Sequence, residues 1–338
     1  MRSTVTDIAR EAGVSSATVD RVLNNRDGVR ARTREIVLDT ARRLGYIDDG
    51  NLSPAVMTSV IRLDFVLPAG TNSFIKMLHH QLATQAALRR DLDVRIHSVE
   101  GFNPDALALA LKRLDPETHG VGVIALDHPT VREAIRALSA RNIKVVTLAS
   151  DISVPRIAYV GIDNRAAGRL AGYVLGRFLG ATEESKVALF AGSLSYRGHE
   201  EREMGFRHVL AEDFPNLRIV ELREMRDDRE QAHREAATLL QTHSDIAGIY
   251  NIGAGNSGIA RALKEAGKEQ DIVFVGHEAT EGSKALLLDR TMDAVIDQNP
   301  RVEAREALDI LTNSIRGTPY AFHPLRLQVI FRENIPDI

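Results

Sequence analysis

The sequence predicts an N-terminal all-α helix-turn-helix unit followed by a two-lobed α/β core with parallel sheets. Three observations carry this. The first 46 residues show a three-helix pattern broken by a glycine turn, and β-α alternation repeats from residue 61 onward. The third is length: of 338 residues, about 275 fall in the alternating part, more than one such sheet usually holds.

Composition bounds the function. With 44% hydrophobic and 26% charged residues, this is an ordinary globular chain. No run of about 18 apolar residues suits a membrane span. Met1-Arg2-Ser3-Thr4-Val5-Thr6-Asp7 contains no apolar signal core, so a cytoplasmic protein is expected. The absence of cysteine excludes disulfides, thiolate metal sites and cysteine nucleophiles. The net charge of −3 is an average over unlike parts: residues 1–46 hold nine arginines against six acids, +3, which leaves −6 for the rest.

Within the first part, Thr6 is read as the cap of a short helix with Ile8, Ala9 and Ala12 on its inner face. Gly13 suits a left-handed turn and Val14 plugs the core. Ser15 caps a second helix over 16–24, with Val19, Val22 and Leu23 inward and Ser16, Ala17, Asp20 and Arg21 outward. A third helix over 31–44 turns Ile36, Val37, Ala41 and Leu44 inward, and Gly45 stops it. Two helices meeting through a glycine turn and braced by a third form a helix-turn-helix unit.

A linker over 47–60 follows, and a core over 61–338. Strands are expected at 61–67, 94–98, 121–126, 145–148, 158–161, 186–191, 246–251, 272–276, 294–297 and 325–331. Amphipathic helices lie between them. Ligands of open α/β sheets sit beyond the carboxyl ends of the strands. The loops there offer Asn, Asp, Glu, Gln, one Arg and Phe74, a set suited to a polyhydroxylated molecule.

The run Val5-Thr6-Asp7-Ile8-Ala9-Arg10-Glu11-Ala12-Gly13-Val14-Ser15-Ser16-Ala17-Thr18-Val19-Asp20-Arg21-Val22-Leu23-Asn24 resembles the headpiece of the lactose-repressor/galactose-repressor family of bacterial transcription regulators. Val29, Thr33-Arg34 and Leu44-Gly45-Tyr46 continue the likeness. The core resembles, more loosely, the periplasmic-binding-protein-like core of the same regulators, and this resemblance implies chain crossings near 161–164, 291–299 and 322–325, with one lobe of 61–162 plus 295–323 and the other of 163–294 plus 324–338. The resemblance implies that Ser16, Ala17 and Arg21 reach base edges in the major groove of operator DNA. It implies that Thr4, Ser15, Thr18, Asn24 and Thr33 contact phosphates or fix the helices. Chemistry agrees: Arg21 can fork onto a guanine edge, and short hydroxyls near a helix start suit phosphate. Asp20 departs from the family's usual serine; it could pair with an arginine or accept from a cytosine amine.

The linker departs further, because the family's Ala-Arg-x-Leu hinge is absent. Ser53-Pro54 could open a short helix whose Leu52, Val56 or Met57 wedges the minor groove, or the segment is a plain tether. For the effector, the resemblance points to Asn72, Phe74, Asp127, Arg202 and Gln298, with Asn256 and Glu278 in the corresponding loops. Asn251-Ile252-Gly253 and Glu278 depart from the usual Asn-Asp and Asp, so the pocket is altered. A repressor-like homodimer is implied, placed on a pseudo-palindromic operator and controlled by a small carbohydrate or polyol.

One competing motif stands in the second lobe. Gly253-Ala254-Gly255-Asn256-Ser257-Gly258 satisfies G-x-G-x-x-G, with Glu278 lying 20 positions beyond. Alone it would indicate an NAD-dependent oxidoreductase of sugar or polyol metabolism. No metal or cofactor is expected otherwise: His79-His80 are adjacent, and Ser193, Ser195 and His199 make no convincing triad. No catalytic residue is assigned, and the chain is read as a regulator, not an enzyme.

Overall fold

A computed structural model describes residues 4–23, 28–29, 31–44, 46, 60–180 and 183–336. Asn24 and residues 47–59 of the linker, on which the alternatives of a hinge helix or a plain tether fall, lie outside the described residues. The chain divides into two units, Met1–Ser59 and Val60–Ile338.

The first unit contains α1 (Val5–Glu11), α2 (Ser16–Leu23) and α3 (Ala31–Arg43). Helix α1 starts earlier than Thr6 suggests, because Thr4 and Asp7 cap it reciprocally. Asp7 N donates to Thr4 Oγ1 at 3.3 Å, and Thr4 N donates to the Asp7 carboxylate at 2.9 Å. Gly13 takes a left-handed φ of 68°, and Val14 N donates back to Ala9 O at 3.0 Å. Ser15 caps α2 as expected, its Oγ accepting from Thr18 N at 3.1 Å. Ile8, Ala9, Val19, Val22, Val37 and Ala41 form the core. Ile36 is not part of it, being 45% exposed. The inward row of α3 runs through Val37, Thr40 and Ala41, and one residue back is about 100° around the helix.

The second unit has two sheets. Strands β1 (Ile61–Ala69), β2 (Leu92–Glu100), β3 (Gly120–Val123), β4 (Lys144–Leu148) and β5 (Ala158–Val160) form the first, in the order β2-β1-β3-β4-β5, all parallel. Their crossovers are α4 (Ser73–Ala87), α5 (Pro104–Lys112) and α6 (Pro129–Ala140). Strand order reverses after β2, so right-handed crossovers place α4 on one face and α5 and α6 on the other. Through α7 (Asn164–Leu179) the chain enters the second sheet. It holds β6 (Ser185–Ala191), β7 (Leu217–Glu224), β8 (Ile246–Asn251), β9 (Val273–His277), β10 (Ala294–Asp297) and β11 (Gln328–Ile330). The order is β11-β10-β9-β8-β6-β7, and β11 alone runs antiparallel. Helices α8 (Arg197–Asp213), α9 (Arg229–Thr242), α10 (Asn256–Glu265) and α11 (Glu281–Leu288) connect these strands, and α12 (Pro300–Arg316) returns to pack on the first sheet and α4.

Two features differ from expectation. Strand β7 is absent from the strands read in the sequence. It is an edge strand, half-buried along most of its length, and its Leu-Arg-Ile-Val-Glu-Leu-Arg-Glu run mixes charges into the alternation. The second concerns the boundary at 295. Strand β10 is bonded to β9 and β11, so the return to the first lobe begins at Pro300, where proline and the Asn299 cap start α12. Among the described residues no helix is long and apolar enough to cross a membrane.

Candidate functional site

The carboxyl ends of strands from both sheets converge on a cavity of about 90 Å³ in the second unit. Its lining comes from the loop after β1 (Pro68 to Phe74), Phe102 after β2, Ile124 after β3, Ala149 and Ser150 after β4, and Tyr196, Gly198, His199 and Arg202 after β6. Arg226 and Asp227 follow β7, Gly253 and Ala254 follow β8, and His277, Glu278 and Gln298 close the wall. One water needs roughly 10–15 Å³ of such space, so the cavity suits a compact molecule and not a dinucleotide.

The rear wall is built around Arg202, which is only 5% exposed. Its backbone is set by a close crossing of α7 and α8. A Cβ on Gly168 would lie 1.9 Å from the Arg202 carbonyl oxygen, and one on Gly205 would lie 2.1 Å from that of Arg165. The glycine of the Arg202-x-x-Gly205 motif therefore seats the helix that carries the arginine. Arg202 Nε donates to Asn164 Oδ1 at 2.7 Å and Nη1 to Ile252 O at 2.9 Å, leaving Nη2 4.0 Å from Glu278 Oε1. Asn164 in turn donates to Ala149 O at 3.2 Å and to the Tyr159 hydroxyl at 2.9 Å.

Glu278 is 7% exposed and has a left-handed φ of 69°, while Gln298 Nε2 donates to its Oε1 at 2.6 Å. Burial pushes its carboxyl well above the ordinary range; Asp297 pushes the same way and Arg202 opposes. Burial likewise lowers His277 well below the usual imidazole range, with Arg202 adding to it, and lowers His199. Three buried polar atoms of this wall, Glu278 Oε2, Gln298 Oε1 and His277 Nδ1, lack a hydrogen-bond partner. Buried polar atoms are nearly always paired, so such a group marks a place for ligand hydroxyls or water. Phe74 supplies an apolar face, and Phe102 and Tyr196 meet edge-on at 5.3 Å. Glu303 on the first turn of α12 is 0% exposed, and burial pushes its carboxyl up to about 8, against the opposing influence of the Ala149 backbone and Arg202.

Of the effector residues read from the sequence, the fold brings Asn72, Phe74, Arg202, Glu278 and Gln298 to this cavity. Asp127 is not among its lining residues. Its carboxylate accepts from Arg132 Nε at 2.5 Å and Ser153 Oγ at 3.2 Å, which uses it to fasten local structure. Asn256 borders a neighbouring opening. There its amide holds the β8–α10 loop, accepting from Asn251 at 2.6 Å and donating to His277 O at 3.0 Å and Ser283 Oγ at 3.1 Å. The carboxyl-end rule reached the loop from Gly192 to Arg202 without singling out Tyr196 and His199, and it missed Phe102, Arg226 and Asp227. The last two follow β7, and overlooking that strand hid its loop from the carboxyl-end rule.

The G-x-G-x-x-G run has a packing explanation. A Cβ on Gly258 would stand 2.1 Å from the Arg229 carbonyl oxygen, so this glycine allows α10 to cross α9 closely. Gly255 takes a left-handed φ of 99° as the cap of α10. Glu278 faces Arg202 and Gln298 across the cavity wall. Among the described residues no group of three or more His, Asp or Glu side chains could hold a metal ion.

In the first unit, Ser16, Ala17, Asp20 and Arg21 are exposed along one face of α2, opposite buried Val19 and Val22. Ser15 and Thr4 are exposed, and Thr18 and Thr33 half-buried. The hydroxyls of Ser15 and Thr18 lie 2.9 Å apart at the start of the helix. Thr4 and Ser15 thus act as caps in the fold, and their exposed side chains stand beside helix N-termini, where phosphate is favoured. Two other cations are tied down, Arg10 to Asp7 and Arg43 to Glu11, each at 2.8 Å.

These two units define a class: a helix-turn-helix domain joined to a two-lobed binding core. Residues 4–49 match the model of the bacterial regulatory proteins of the lacI family, and residues 65–319 match the periplasmic binding protein domain. The chain belongs to the periplasmic binding protein domain family and carries a lacI-family DNA-binding domain at its N-terminus. It is similar to catabolite control protein A of Priestia megaterium, 26% identical over 213 residues, 63% of this chain and 62% of that protein. The chain thus spans a little under two thirds of that relative. The HTH-type transcriptional regulator DegA of Bacillus subtilis is 24% identical over 294 residues, 83% of this chain and 82% of the relative. The D-apiose import binding protein of Paraburkholderia graminis is 25% identical over 292 residues, covering 83% and 88%. A glucose-galactose binding protein from Geobacillus stearothermophilus superposes with a TM-score of 0.73 at 25% identity, over 81% of this chain and 99% of the other.

Proposed function

We propose that this protein is a transcription regulator, acting as a repressor, whose affinity for operator DNA is set by a small carbohydrate or polyol in the cleft. The observation that carries the reading is the rear wall: Arg202 beside three unpaired polar atoms, Glu278 Oε2, Gln298 Oε1 and His277 Nδ1, facing apolar Phe74. A polyhydroxylated molecule answers that mixture of donors, acceptors and one flat apolar surface. The likeness to proteins named for binding D-apiose and for glucose and galactose supports the ligand class. The lacI-family domain and the similarity to catabolite control protein A and DegA support the regulatory role.

On DNA, the exposed face of α2 enters the major groove. Arg21 forks onto a guanine edge, Ser16 reaches a base edge, and Ala17 offers a methyl to thymine. Thr4, Ser15, Thr18, Asn24 and Thr33 fix the helices or meet phosphates. Two copies pair so that two such helices address the half-sites of a pseudo-palindrome. The effector changes operator affinity only through its different affinity for the two states of the core.

Thermal-shift screening of sugars and polyols tests the cleft first. A member of that class is expected to raise the melting temperature, the stabilisation growing with the logarithm of ligand concentration once that exceeds Kd. Fluorescence anisotropy with operator fragments then tests the coupling: the same compound should shift the DNA affinity. A compound that stabilises the core and leaves DNA binding untouched would refute the coupling.

A further inference from the structure

The cleft has two chambers, and hydrogen bonds between the lobes run along their common wall. The cavity and a neighbouring opening of about 320 Å³ share Thr71, Asn72, Phe74, Asp227, Ala254, His277 and Glu278 in their walls. Between them, Asn72 Nδ2 donates to Asp227 Oδ2 at 2.9 Å, and Thr71 Oγ1 donates to the Asp227 carbonyl at 3.3 Å. Asn72 follows β1 of the first sheet and Asp227 follows β7 at the edge of the second, so these bonds tie one lobe to the other.

The Asp227 carboxylate is seated within its own lobe. Its Oδ1 accepts from Ala254 N at 2.9 Å, and a Cβ on Gly192 or Gly253 would lie 2.3 or 2.5 Å from that oxygen. Two glycines thus make the space it occupies. Arg226 and Asp227 have consecutive left-handed φ values of 51° and 55°, a conformation that side-chain-bearing residues hold only where their surroundings impose it. The Arg226 guanidinium lies 5.8 Å from the centre of the Phe102 ring, again across the lobes.

We infer that the Arg226–Asp227 turn is a latch across the cleft. When it bonds Asn72 it ties the two lobes together across the cleft, and a ligand held between them leaves more slowly until that bond breaks. The inference rests on the proposed effector reading only for what passes; the latch itself belongs to the two lobes. Its weight is that of a cross-lobe hydrogen bond to a charged group, so release of a trapped ligand is slowed about tenfold.

The chain contains no cysteine, so His80→Cys in α4 and Arg234→Cys in α9 allow paired spin labels on the full chain, both positions being exposed. Pulsed-dipolar distances are measured first without added ligand. Asn72→Asp keeps the oxygen that caps α4, accepting from Phe74 N at 3.0 Å, and sets carboxylate against carboxylate. Asp227→Asn keeps an acceptor for Ala254 N and sets amide against amide. Each alone is expected to broaden the distribution toward longer distances. The double variant exchanges donor and acceptor and should restore the original distribution. Unchanged distances in both single variants, or no restoration in a double variant folded by circular dichroism, would overturn the latch. Stopped-flow release of D-galactose and D-arabinose follows. Faster release in the single variants and recovery in the double extends the latch to ligand passage, and unchanged release of a bound sugar contradicts it. If neither sugar binds the unmodified protein, the effector reading fails for these two sugars, and the distances still decide the latch.

Discussion

Each unit presents an arginine, and the two are set in opposite ways. Arg21 projects from the exposed face of α2, on a helix whose packing is made by Val19 and Val22 behind it. Arg202 is buried and spends its donors on Asn164 and Ile252, residues 38 and 50 positions away. The difference separates two kinds of recognition. An exposed guanidinium can leave water for a polyanion at little cost to the fold, and its value is realised only in the complex. A buried one is part of the scaffold, because removing it strands other polar groups in a low-dielectric interior.

Arg202→Ala is the strongest way to break that contrast. It leaves the Asn164 and Ile252 acceptors unpaired, and a loss of about 3–5 kcal/mol in unfolding free energy is expected together with loss of ligand binding. Urea denaturation measures the first and calorimetry the second; a loss under 1 kcal/mol would contradict the scaffold role. Next in size is the pH dependence supplied by Glu303. Its carboxyl is raised in the fold from 4.5 to about 8, so the folded state holds the proton more tightly than the unfolded. Stability is therefore greatest below about 4.5 and falls as pH rises toward 8, at no more than roughly 1.4 kcal/mol per unit from this group. Glu303→Gln should flatten that decline, as read from urea midpoints at pH 6 and 8, and an unchanged slope would count against it.

Gly205→Ala comes third. The added methyl meets the Arg165 carbonyl, and a cost of about 1–3 kcal/mol is expected from forcing α7 and α8 apart. A displaced Arg202 should also weaken sugar binding, a readout that simple loss of stability would not move at low temperature. Arg21→Ala is the smallest change for the fold and sharpens the contrast from the other side. Stability should stay within about 0.5 kcal/mol, while affinity for a cognate DNA fragment falls by the 1–3 kcal/mol of one bidentate base contact. Equal weakening on all DNA sequences would make it a phosphate contact instead.

The legible parts of the molecule share a physical feature, which is that the signal is local. Ser15 caps the helix it was read to cap, and Val19, Val22, Val37 and Ala41 fall on one inner surface through a period of 3.6. Where local signals compete, the reading slipped. Thr4 and Thr6 could each cap α1, and the reciprocal bond with Asp7 selects Thr4. Ile36 is as apolar as its neighbour Val37, yet only the tilt of α3 on α1 and α2 decides which is covered. Strand β7 carries too many charges to read as a strand, and its pairing with β6 is what holds it. With it went the latch loop, since a loop cannot be assigned to a strand end that has not been found.

The sequence by itself determined the helix-turn-helix unit, the alternation of the core and the loops among which a ligand would lie, because caps, glycine turns and hydrophobic periods act over a few residues. Only the tertiary structure decided that Arg202, Glu278 and Gln298 share one wall while Asp127 is fastened to Arg132, and that Asp227 reaches Asn72 across the cleft. Those pairings join residues as many as 155 positions apart, and what brings them together is strand order and helix packing, which no short stretch of sequence encodes.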